Sequence, residues 1–281
     1  MHPPIGTEQY SASPELSASR QEQILSELKQ NERYPRGAVP GSVGVLTFTD
    51  NNPKAGLGLA ATEFFTANLA LFKRFTLIDL SYSEVLESEY QTYSPEQKRA
   101  LLQAEQLVRG DVALENGRLR LSGALAPQNS RASSPLGDHR GGVQDFFRLV
   151  ADLNIEFLEA NNVTVTSQIA NELYKVPTED LVAYILYARG RHHERAGDYQ
   201  EAMEAYRAAV VKDPKFKEAQ KSLKDAERQM SQVPAAQSAP ANRDVLSGGP
   251  DTTPNILEEL STPGLPGNSP VIIDVQLPPG P

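Results

Sequence analysis

The chain has 281 residues, 39% of them hydrophobic, a net charge of −9 and an isoelectric point near 5.1. An acidic excess without a clustered basic run excludes a phosphate-binding, nucleic-acid surface. The absence of cysteine excludes disulfides, thiolate catalysis and cysteine metal sites, and no apolar run approaches the ~18 residues that a spanning helix needs.

Met1 to Tyr10 has neither the basic start nor the apolar middle of a signal peptide, so the chain is expected to be cytosolic or already processed. Residues 1–41 read as a leader with one short helix: Met1–Arg20 is Ser, Pro and Gln-rich, and Gln21–Asn31 puts Ile24, Leu25 and Leu28 on one face. Residues 42–175 read as an α/β domain. Ser42–Thr49 is β-branched and aromatic, a buried strand; Gly58–Phe72 is a helix; Phe75–Leu80 is a second strand. Strand, helix and strand in this order make a right-handed βαβ unit with parallel strands. Ser81 with Glu84, and Ser94 with Gln97 after Pro95, carry capping-box signatures; the second helix is expected to run to about Ala104.

Leu107–Glu115 and Arg118–Ala126 flank Asn116-Gly117, two residues that tolerate positive φ, and so form a β-hairpin. Pro127–Gly142 is rich in Ser, Pro and Gly and reads as a surface loop. Val143–Ala160 is a long amphipathic helix suited to cover the sheet, Val163–Thr166 a short extended piece, Ser167–Tyr174 a short helix, and Pro177 a hinge.

Residues 176–230 read as an all-α module. In Leu186–Pro214, Gly190, Ala202 and Ala209 put small residues where two antiparallel helices approach, Gly197-Asp198 supplies the turn and Pro214 the stop. Tyr199 and Tyr206 fill the gap those small residues leave. This pattern resembles one tetratricopeptide repeat, with departures at Arg189 and His193. A lone repeat leaves an apolar face uncovered; Phe216–Met230 reads as a cap helix on one side, and the preceding domain lies on the other. The open concave face, lined by residues such as Tyr187, His193, Tyr199 and Tyr206, is expected to take a protein segment. Residues 231–281 read as a Pro/Ser-rich disordered tail, interrupted by Ile256–Leu260 and by strand-like Val271–Leu277.

The order Val43–Phe48, Leu57–Ala60, Arg74–Asp79, Val85–Glu87 and Val108–Val112 resembles the curli-secretion component family, CsgG, and the related amino-terminal domains of TolB. The resemblance spans roughly Ser42 to Leu158. Joined to the repeat, it implies a non-enzymatic scaffold or assembly factor of the bacterial envelope, periplasmic or outer-membrane associated, with a cytoplasmic location as the alternative and a ring-forming subunit as a further one. A membrane barrel is not expected: Pro127–Gly142 lacks apolar alternation and is too short for strands of about 9–11 residues each, and no cysteine is present for lipidation.

A competing reading is a nucleotide site. Gly56-Leu57-Gly58-Leu59-Ala60-Ala61 gives G-x-G-x-x-A inside the βαβ unit, and Asp79 ends the next strand where a ribose-binding acid belongs. Against it, Asp50–Ala55 lengthen the turn and put a carboxylate where a pyrophosphate would sit. His2, His139, His192 and His193 are not spaced to share a metal, and no nucleophile elbow or Walker motif occurs. No cofactor, metal or catalytic residue is therefore expected.

Overall fold

Helix α1 (Ala18–Arg33) forms where Ile24 and Leu28 recur at a four-residue interval, and both are fully buried in the computed structural model, which describes residues 16–52, 55–127 and 133–232. It packs with Val85, Leu86, Leu101 and Leu107. The end of the expected mobile leader is anchored as well: Leu16 is buried, and the Ser17 N–H donates to the Ala196 carbonyl at 3.0 Å. Residues 1–15 lie outside the described residues, as does the tail from residue 233 with both of its islands.

The described residues form a six-stranded mixed sheet: β1 (Val39–Val45), β2 (Thr49–Asp50), β3 (Thr76–Leu77), β4 (Ala104–Glu115), β5 (Arg118–Pro127) and β6 (Ser134–Gly142), in the order β3-β1-β4-β5-β6, with β2 beside β4. β1 runs parallel to β3 and β4, and β4, β5 and β6 are antiparallel. The βαβ unit is present, with α2 (Leu57–Leu69) as its crossover. The strand expected over Ser42–Thr49 stops at Val45, and Thr49 pairs further along β4 with Asp111. The one expected over Phe75–Leu80 shrinks to Thr76–Leu77.

The reason is a cap. Asp79 accepts hydrogen bonds from the Ser81 N–H at 2.8 Å and its hydroxyl at 2.7 Å, so α3 (Leu80–Glu89) starts there. Asp79, not Ser81, is the N-cap; Ser81 is buried inside the first turn. The second capping box is formed as expected, with Ser94 and Gln97 bonded reciprocally at 2.7 and 3.3 Å and Pro95 opening α4 (Pro95–Leu101). Helix α4 ends short of Ala104 because Gln103 takes a φ of 52° and Ala104 begins β4.

The hairpin closes through Asn116 and Gly117, with φ of 51° and 74°. The stretch expected as a surface loop is different. Its described part, Ser134–Gly142, is the edge strand β6, paired to β5 from Ser134 opposite Leu125 to Gly142 opposite Arg118. Leu136 and Gly141 are buried in it, so periodicity had little to register; the backbone partner supplied by β5 decides the strand.

Adjacent residues of β4 point to opposite faces: Leu107 joins the cluster under α1, α3 and α4, whereas Val108 joins the larger core under α2 and α5 (Phe146–Ala160). One 3-10 turn, Val143–Asp145, precedes α5, and among the described residues Val163–Thr166 holds no strand. After α6 (Ser167–Leu173) come α7 (Leu181–Ala196), α8 (Tyr199–Lys212) and α9 (Lys217–Gln232). Tyr184 of α7 meets Phe64 and Phe147 at 5.8 and 5.1 Å between ring centroids, joining the helical hairpin to the same core as the sheet.

Candidate protein-binding groove

The hairpin is built by local chemistry. Asp180 caps α7 through the Val182 and Ala183 N–H groups at 2.8 and 3.0 Å, and Gly197, at φ 81°, closes it. Gly190 leaves room for the Tyr206 ring, which a β-carbon there would strike. Ala202 and Ala209 are fully buried beside it. The Tyr206 hydroxyl donates to Glu194 at 2.6 Å, and Tyr187 packs in tilted contacts against Tyr206 and Phe216, with ring centroids at 5.7 and 5.0 Å.

Where α7 crosses α2, a polar clasp joins the two units. Arg195 is ion-paired with Glu63 of α2 and lies 3.6 Å from Glu84 of α3, and His192 Nδ1 is 2.8 Å from the same Glu84 carboxylate. All four side chains are at most 16% exposed.

Beside the clasp opens a groove of 380 Å³. Its floor is α7, through Tyr184, Tyr187, Arg191 and Glu194. One wall is α9, with Glu218, Lys221, Ser222 and Asp225; the other is α2, with Glu63, Thr66, Ala67 and Ala70. A helix of the α/β unit therefore stands as the wall opposite the cap helix. Ala67 and Ala70 are exposed and small, so the groove stays open along that side.

The groove's titratable groups record its surroundings. Burial opposes the charge of Arg191, yet Tyr187, Glu63, Tyr206 and Glu194 hold its proton more tightly than usual. Burial, reinforced by Glu63, pushes the Tyr184 hydroxyl well up, and burial raises Tyr187. Arg191 is held by Glu194 at 3.1 Å.

Of the four residues expected to face a partner, Tyr187 lines the groove. Tyr206 does not: it is fully buried between the helices and supports the floor from behind. His193 and Tyr199 are half-buried outside the groove, with His193 Nδ1 3.7 Å from Asp198. Burial and the neighbouring His192 lower the His193 pKa. Tyr184, Arg191 and Glu194 were missed, although their spacing from Tyr187 is helical; nothing local points to the α2 wall.

The G-x-G-x-x-A turn is otherwise engaged. Asp50 accepts from the Gly58 N–H at 3.1 Å and from Leu57, placing a carboxylate of the chain on the amino end of α2. Gly58 packs against the Phe48 carbonyl, which a β-carbon would strike. Burial nevertheless raises the Asp50 pKa. Asp79 is spent on capping α3.

Two helices in an antiparallel hairpin, small residues at their crossing and a third helix laid alongside define a helical-repeat module, a class of structure that suggests protein–protein interaction. The tetratricopeptide repeat profile matches residues 183–216, spanning α7, α8 and the connection to α9. A search of curated proteins gives no match. Among the described residues no helix is long and apolar enough to cross a membrane.

Proposed function

We propose that the chain is a protein-binding adaptor whose partner, an extended polypeptide segment, lies in the groove over α7 between α2 and α9. The observation that carries this is the shape of the site: a repeat hairpin floored by Tyr184 and Tyr187, and walled on its open side by exposed Ala67 and Ala70 rather than by a second repeat. Aromatic rings give contact area, and Ser222 offers a hydrogen bond along the α9 wall. The clasp through Arg195, Glu63, His192 and Glu84 keeps the α2 wall in register with the α7 floor.

The resemblance of residues 42–158 to the CsgG and TolB families makes the bacterial envelope the setting of this reading, with a scaffold or secretion-associated role. Cell fractionation of the native host tests the setting. Photo-crosslinking tests the groove: a photoreactive residue at Ala70 or Lys221 is expected to yield a protein adduct that one at Arg140, on the edge strand, does not. Equal adducts at all three positions, or none at the groove, overturn it.

A further inference from the structure

Charge in the groove is unevenly matched. Four carboxylates line it, Glu63, Glu194, Glu218 and Asp225, against two cations, Arg191 and Lys221. Arg191 is taken by Glu194 at 3.1 Å, and Glu63 is answered from behind its wall by Arg195, which is 13% exposed. What remains to meet a partner is the α9 wall, where Glu218 and Asp225 flank Lys221. Arg228 also reaches Asp225, at 3.2 Å, but its side chain is 68% exposed and does not line the groove.

The floor adds a second property. Tyr187, half-buried, lines the floor beside the α9 wall and gives it an aromatic character that tolerates the apolar stem of a long basic side chain. On the opposite wall, Ala67 and Ala70 bring no charge of their own to compete with those carboxylates.

We infer that the segment bound in this groove is basic, with an Arg or Lys side chain paired to Glu218 and Asp225 along the α9 wall. This rests on the groove being the binding site. An acidic segment would bring like charge against the α9 wall, where Lys221 alone lines the groove to answer it, whereas a cation meets Glu218 and shares Asp225 with Arg228. Because those carboxylates are partly exposed, the attraction serves selection and encounter more than raw affinity, and it weakens with salt.

The test is a random peptide display library selected on the full chain at low salt, with selected peptides then titrated by fluorescence anisotropy. Two variants on exposed or half-buried positions separate the claims: Ala67→Trp fills the groove, and Glu218→Lys with Asp225→Lys reverses the α9 wall. The expected result is a pool enriched in Arg and Lys, whose binding falls at least tenfold on either variant and weakens as salt rises. A pool that Ala67→Trp abolishes but that is enriched in acidic or uncharged residues, or is indifferent to the charge reversal, overturns the inference and leaves the groove intact as the site. A pool insensitive to Ala67→Trp, or no selected binder at all, overturns both. Circular dichroism and thermal melting of each variant confirm that the fold is retained.

Discussion

The ring of Tyr206 fills the space that Gly190 leaves by having no side chain, and this contact sets how closely α7 and α8 approach. Gly190→Ala inserts a methyl into a closed gap. Overpacking of this kind costs about 1–3 kcal/mol, offset by up to about 1 kcal/mol from alanine's better helix propensity. A net loss is expected, and Gly190→Val should be worse. Chemical denaturation reads both, and a Gly190→Ala chain as stable as wild type would show that the ring can yield.

The clasp predicts non-additivity. Arg195→Met leaves Glu63 buried without its cation, and breaking a buried pair by removing one partner costs roughly 3–5 kcal/mol; partial exposure of both side chains places this variant at the low end. Removing both charges, in Arg195→Met with Glu63→Met, should restore most of the loss. Urea midpoints of the four proteins complete the cycle. A double variant as unstable as the single one would show that Arg195 acts mainly on Glu84.

Stability should also depend on Glu87. Burial pushes this carboxyl up to about 7, against which Lys98 and Thr47 act only partly. A folded-state pKa above the unfolded one favours the protonated native form, so this contribution is complete below about 4.5 and is lost as pH rises through about 7. Glu87→Gln removes that dependence. The difference in melting temperature between wild type and Glu87→Gln, followed from pH 5 to 8, should grow in favour of the variant as pH increases. Taking the difference cancels the shifts of Asp50, Glu156 and Glu201, whose pKa values are raised as well.

The β-hairpin turn gives a fourth expectation. Gly117 adopts a φ of 74°, where a β-carbon costs about 1–2 kcal/mol. Gly117→Val should lower stability by about that amount or somewhat more, while Gly117→Asn should be tolerated better. Equal stability of the valine and asparagine variants would mean that the turn has rearranged.

Much of this architecture is written in short-range signals. Asn116-Gly117 and Ser94-Pro95-Glu96-Gln97 act within a few residues, and the Gly190, Ala202, Ala209 spacing within one helical hairpin; each produced the turn, cap or helix crossing that its chemistry requires. The mixed sheet with a βαβ unit and the helical hairpin with its cap followed from them. Where two local signals competed, distance decided: Asp79 took the cap from Ser81 by reaching the Ser81 N–H itself.

The groove is a different matter. Sequence determined that α7 would carry Tyr187, and helical spacing brought Tyr184, Arg191 and Glu194 with it. The small-residue spacing already placed Tyr206 in the gap between the helices; only the tertiary structure closed it off from the groove, made Ser134–Gly142 a strand by giving it β5 as a partner, and set α2 opposite α9. These outcomes depend on contacts between residues far apart in the chain, where burial and backbone pairing outweigh the propensity of any short stretch. A single helix encodes its own periodicity; which neighbour covers each of its faces is settled when the core closes.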